Sequence, residues 1–167
     1  MTHRIRTLKS MFLAPTLASA LALSAVAAAA LCLSPSVAQA AVASASCRIH
    51  AVEASPEGDG SIPANLDFLA DQLQQPEFAR YKSFVLIGTQ DFKLEVGKVI
   101  DQKFKSGHNV ELTLLGGEES KLELHTKLKR GTKVLVDMDF VVKSNQVMLI
   151  PVRRGEQAII FAYQCKS

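Results

Sequence analysis

From Ser83 to the end of the chain, apolar and polar residues alternate with a period of two. "DFKLEV" sets Phe92, Leu94 and Val96 against Asp91, Lys93 and Glu95, and "NVELTLL" puts Val110, Leu112 and Leu114 on one face. "KLELHTKL" sets Leu122, Leu124 and Leu128 against Lys121, Glu123, His125 and Lys127. "KVLVDMDFVV" gives Val134, Val136, Met138 and Phe140 a common face. Successive side chains of a strand point to opposite faces, so each run predicts a strand buried on one side. "SFVLIG" is apolar on both faces and predicts a covered strand, while "VMLIPV" and "AIIFAYQC" complete the set. Turn residues fall between the runs: Gly97-Lys98, Ser106-Gly107-His108-Asn109, Gly116-Gly117, Arg130-Gly131, Ser144-Asn145 and Arg153-Arg154-Gly155. Strands punctuated by turns at intervals of roughly 8–12 residues predict a mainly β chain, an antiparallel β-sandwich of about 7–9 strands.

Ahead of Ser83 the pattern is different. "ASCRIHAVEAS" reads as a first strand, and the turn-rich "SPEGDGSIP" links it to a short N-terminal helix over roughly residues 63–74. Pro63 suits the first turn of that helix, and Leu66, Leu69 (or Ala70) and Leu73 give it one apolar face. "PEFARY" predicts a further turn that buries Phe78. The helix is expected at the edge or end of the sandwich.

The first forty residues obey neither period. "MTHRIRTLKS" is basic, an Ala/Leu run follows to Leu33, and Ala38-Gln39-Ala40 offers small residues after Pro35. A charged start, an apolar middle and an A-x-A site are the marks of a signal peptide, residues 1–40, cut after Ala40 or, as a second site, after Ala45. Neither Cys32 nor Cys47 has the small, apolar context of a lipid-modified cysteine. Residues 41–46 then form a short extension and residues 47–167 a single domain. The protein is expected to be exported, periplasmic or extracellular, with no transmembrane helix after cleavage.

Removing the leader changes the charge. It holds three of the nineteen basic residues (Arg4, Arg6, Lys9) and no acid, which leaves sixteen bases against sixteen acids. A neutral remainder does not fit a general nucleic-acid or anionic-membrane binder. The cut also removes Cys32 and leaves Cys47 and Cys165, an even count that outside the cytoplasm predicts a disulfide between the first and last strands.

The order "IPANLDFLADQL", "PEFARYKSFVLI", "LEVGK" and the "VELTLLGG" hairpin, with Phe78-x-x-Tyr81-Lys82-x-Phe84 at its centre, spans essentially the whole mature chain. It resembles a group of short secreted β-rich proteins of myxobacteria and related proteobacteria, whose function is uncharacterised. The cysteine-ended last strand departs from that pattern. The resemblance implies an exported single domain and supplies no catalytic residues.

Candidate chemistry is sparse. Asp137 and Asp139 share a strand face with Cα atoms roughly 6.5–7 Å apart, a spacing open to a glycosidase pair or to two calcium ligands. Alternation alone also predicts solvent-facing acids there. His50, His108 and His125 have no partners at ligand spacing and read as exposed histidines. Two cysteines without paired histidines do not complete a zinc site, and no nucleophile elbow is present. "KLKRGTK" gathers cations around one turn, and Lys127, Lys129, Arg130 and Lys133 are the candidate contacts for an anion or a partner. No catalytic residue, metal site or cofactor is assigned. The expected function is a non-enzymatic interaction or structural module of the cell envelope or exterior, bound to a protein or envelope partner. The alternative is a small-ligand or ion-binding periplasmic protein using the loops at one end of the sandwich, with an envelope hydrolase a distant third.

Overall fold

The structure, a computed structural model, describes residues 41–167; the expected signal peptide lies outside them. Among these residues eight strands form two four-stranded sheets. The first, sheet A, has β1 (Ser44–Ser55), β2 (Ser83–Glu95), β7 (Val147–Arg154) and β8 (Gln157–Lys166) in the order β2-β1-β8-β7. The second, sheet B, has β3 (Val99–Lys103), β4 (His108–Glu118), β5 (Lys121–Arg130) and β6 (Lys133–Lys143) in chain order. All strand pairs within the sheets are antiparallel, as the alternation predicts.

The sheets meet through their alternating apolar faces. Leu112, Leu114, Leu122, Leu124 and Leu128 of sheet B pack with Cys47, Ile49, Ile159, Phe161 and Tyr163 of sheet A. A second core lies on the other side of sheet A. There Leu66, Leu69, Leu73, Phe78 and Tyr81 cover Val52, Ala54, Ala158, Ile160 and Ala162. The helical segment therefore packs on a sheet face, not at the edge or end where it was expected. Small alanines on β1 and β8 let it approach closely. The central strand β8 is apolar from Ala158 to Tyr163 because both of its faces are covered there, by sheet B and by this layer.

The helix is shorter and tighter than the sequence predicts. A 3-10 turn, Ala64–Leu69, runs into the single α-turn Ala70–Leu73, and a second 3-10 turn, Pro76–Phe78, buries Phe78. Side chains three apart eclipse one another in a 3-10 turn, so Leu66 and Leu69 stack over the sheet before Leu73 joins them. Lys82 fixes the entry to this layer: its N–H donates to Ser55 O at 2.7 Å, and its carbonyl accepts from Gly60 N at 2.8 Å.

Three expectations about strands are corrected and one strand is added. "SFVLIG" is not a covered strand; it opens β2, a sheet edge on which Val85 is 52% exposed, and it is continuous with "DFKLEV". Strand β3 went unpredicted because it is an exposed edge from which Ile100 packs against the core. Gly116-Gly117 is not a turn. It belongs to a β-bulge of β4 that leaves Leu115 unpaired, and the turn lies at Glu119-Ser120. On β6 the extra residue Leu135 interrupts the register, and Val134 and Met138 stand exposed on an edge strand instead of buried. The presumed extension also contributes to the fold: β1 starts at Ser44, Val42 and Ala45 are buried, and Val42 N–H donates to Gly117 O at 3.1 Å.

Candidate functional site

Three hairpins turn at the same end of the sandwich. Strands β5 and β6 are joined through Gly131-Thr132, with Arg130 and Lys133 paired across the turn. Strands β7 and β8 are joined through Gly155-Glu156, with Arg154 paired to Gln157. Gly131 (φ 59°) and Gly155 (φ 67°) hold positive φ while Thr132 and Glu156 do not. A positive φ at the first central position alone is the type II′ hairpin, which requires glycine there. Because β6 hands over to β7 at the opposite end, two Arg-Gly turns far apart in sequence come to one rim.

The third hairpin supplies the floor. Phe104 N–H donates to His108 O at 2.8 Å, which closes the turn between β3 and β4 and seats His108 opposite Arg130. His108 is completely buried, edge-on to Phe161 with ring centroids 5.6 Å apart. Its Nδ1 lies 3.0 Å from Ser106 Oγ, and its buried Nε2 has no partner. Burial, and after it the charges of Arg130 and Arg154, hold the imidazole below the usual histidine range.

These groups line a cavity of about 450 Å³. Leu135 and Val152 form its apolar part with His108, and Arg130, Lys133, Arg153 and Arg154 stand around it. The four cations are exposed, and none has a carboxylate partner among the described residues. Four unpaired charges against a partly apolar wall attract anions more strongly than the same charges spread over a flat surface.

The four cations expected to act together are divided by this arrangement. Arg130 and Lys133 reach the cavity. Lys127 and Lys129 point instead from the outer face of sheet B, where Lys127 Nζ lies 2.9 Å from Asp137 and Lys129 pairs with Glu111. The reason is strand parity: residues 127 and 129 share the solvent face of β5, beyond which the strand ends. Arg153, Arg154 and the buried His108 were not assigned to a site from sequence. The repeated Arg-Gly turn was the available signal for the arginines.

Asp137 and Asp139 face solvent on β6, with His125 between them from β5: Nε2 lies 3.2 Å from Asp137 and Nδ1 2.7 Å from Asp139. Lys127 holds the Asp137 carboxyl below its usual range. Both imidazole nitrogens face carboxylates, so the trio is a compact surface cluster. No group of three or more metal-ligating side chains able to hold an ion occurs among the described residues.

His50 and His108 correct the expectation of exposed histidines. His50 is buried beneath Phe68, with ring centroids 4.6 Å apart, and its Nδ1 lies 3.0 Å from Thr89 Oγ1. A larger hollow of about 650 Å³ lies at the opposite end of sheet A, beside Cys47 and Cys165. Its Arg48 is paired with Asp91 at 2.7 Å, which leaves Lys93 and Lys166 as its unpaired cations against four at the other end, so its size does not make it the stronger anion site. No family model, curated protein or solved structure matches the chain.

Proposed function

We propose that the protein is an exported, non-enzymatic binding module of the cell envelope or exterior, which holds its partner at the basic end of the sandwich. One observation carries this reading: Arg130, Lys133, Arg153 and Arg154, none of them in an ion pair, are gathered at one cavity. The Cys47–Cys165 disulfide supports export, since such bonds persist in oxidising compartments. The fold also bears on the cleavage site. A cut after Ala45 would remove the buried Val42 and Ala45 and the first residues of β1, whereas a cut after Ala40 removes none of them.

Two measurements test the reading. Intact mass of protein taken from the envelope should correspond to a chain beginning at Ala41; retention of residues 1–40 would replace soluble export by an anchor. In pull-downs from envelope extracts, replacing Arg130, Lys133, Arg153 and Arg154 by Ser should abolish retention of the partner, and raised salt should weaken it in the unmodified protein. Exposed charges are screened beyond about 8–10 Å at physiological ionic strength. Equal retention by both proteins at every salt concentration removes the basic end as the binding surface.

A further inference from the structure

We propose that the basic end recognises a phosphomonoester group. The inference rests on the binding-module reading and adds the chemistry of the ligand. Three features of the cavity point to it.

The first is charge. Three guanidiniums and one ammonium surround the cavity without a carboxylate partner among the described residues. One carboxylate ligand would neutralise only a quarter of that formal charge. A phosphomonoester carries nearly two negative charges near neutral pH. Its several oxygens also give planar arginine forks parallel acceptors to grip bidentately.

The second feature is the buried histidine. A buried imidazole nitrogen with no partner costs stability, and His108, which lines the cavity, carries such an atom in its Nε2. A dianion seated in the cavity stabilises the charged form of this ring when a proton is taken up. A neutral sugar or an apolar ligand uses neither the cations nor this ring.

Construction is the third. Arg130 and Arg154 occupy the same position in two type II′ turns, each immediately before the glycine. Tight two-residue loops carry little conformational freedom, so the arginine backbones are already placed when a ligand arrives. His108 is register partner to Arg130, which ties the floor to the rim through β4 and β5. Leu135 and Val152 keep part of the wall apolar, and that strengthens the charge interactions made against it.

The experiment is calorimetric titration of the purified, oxidised protein with methyl phosphate at low salt, with acetate as the carboxylate control. The expected result is saturable 1:1 binding of methyl phosphate and at least tenfold weaker binding of acetate. Arg130→Ser with Arg154→Ser should weaken methyl phosphate at least tenfold; Lys127→Ser with Lys129→Ser should leave it unchanged. Ring ¹⁵N shifts of His108 should move on adding methyl phosphate to the unmodified protein while those of His125 stay in place, a readout that needs no substitution in the buried floor. Co-sedimentation with phosphatidic acid vesicles, compared with phosphatidylcholine vesicles, separates a lipid headgroup from a soluble or polymer-borne phosphomonoester, and either source satisfies the proposal. Absence of saturable methyl phosphate binding, equal affinity for acetate, or unchanged His108 shifts overturns it. If methyl phosphate fails while the four-Ser variant still loses its envelope partner, the binding module stands and the phosphomonoester falls. If methyl phosphate binds while envelope retention is insensitive to the four substitutions, the reverse holds.

Discussion

Cys47 and Cys165 are register partners on the neighbouring strands β1 and β8, their Cα atoms 4.1 Å apart, so the disulfide lies within one sheet and does not join the two. Strand pairing already brings the chain's two margins together. The bond therefore acts mainly on the unfolded chain, where it closes a loop spanning a sequence separation of 118 residues. The chain-entropy model sets a ceiling of about 4–5 kcal/mol for such a loop. Cys47→Ala with Cys165→Ala should lower the melting temperature markedly and leave the near-UV circular dichroism of the folded state unchanged. An unchanged melting temperature would show that the bond contributes nothing, and a lost near-UV spectrum would show that it shapes the folded state as well.

Among the described residues the interior holds one side-chain polar link between the sheets. Thr126 Oγ1 of β5 and Tyr163 Oη of β8 lie 2.9 Å apart, and burial pushes the Tyr163 phenol well above its usual pKa. Thr126 Oγ1 also reaches the carbonyl of Glu111 at 3.4 Å, so it keeps a weak partner if the tyrosine hydroxyl is removed. Thr126→Val should therefore cost about 1–3 kcal/mol, the desolvation penalty of a stranded hydroxyl. Tyr163→Phe should cost less, and the double variant should recover part of the loss. Denaturant titration of the four proteins measures this; additive losses would mean that the two hydroxyls do not support one another.

The alternation of Leu112 and Leu114, and of Leu122 and Leu124, was sufficient to specify sheet B's core, because one face of each strand is buried and the other is wet. The rule fails where burial is not set by one partner. "SFVLIG" and "AIIFAYQC" look alike in sequence, yet only the second lies at a sheet centre under the helical layer. Nothing local to either run says which strand becomes an edge. The site is legible in halves for the same reason. "KLKRGTK" advertises its own charge, but its union with Arg153 and Arg154 depends on where the chain crosses between sheets at residues 144–146. His108 sits among polar turn residues and is buried edge-on against Phe161, more than fifty positions away.

Two glycines with positive φ should respond differently to alanine. At Gly117 (φ 124°) an added Cβ would lie 2.3 Å from the carbonyl oxygen of Lys121, which backbone pairing holds in place. At Gly131 (φ 59°) the same atom meets nothing within 4 Å. Gly131→Ala should cost about 1–2 kcal/mol for the left-handed conformation alone. Gly117→Ala should cost clearly more, since the bulge must open, and Val42 loses its acceptor if the Gly117 carbonyl moves. Comparison of denaturation midpoints checks the order; a Gly117→Ala protein as stable as Gly131→Ala would mean that the β4 bulge is not held closed by that contact.

The buried histidines make stability depend on pH in a defined window. His50 and His108 are both held below the ordinary histidine value of about 6.5, His50 first by burial and then by Arg48, with Asp91 opposing, and His108 by burial, Arg130 and Arg154. A histidine depressed in the folded state binds its proton more readily once unfolded, so acid favours unfolding. Stability should be constant above about pH 7.5 and fall as the pH drops through 6.5 toward the folded values, at up to about 1.4 kcal/mol per pH unit for each histidine. Carboxylates held low by hydrogen bonds, such as Asp91 and Asp137, act separately, in the more acidic range where carboxylates titrate. Urea midpoints between pH 8 and 5 measure the effect, and His50→Gln and His108→Gln should each flatten part of the slope. Methyl phosphate should flatten the share belonging to His108, because a bound anion favours its protonated ring, and should leave the share of His50 intact. A midpoint that does not change across the range would mean that neither imidazole is kept neutral by the fold.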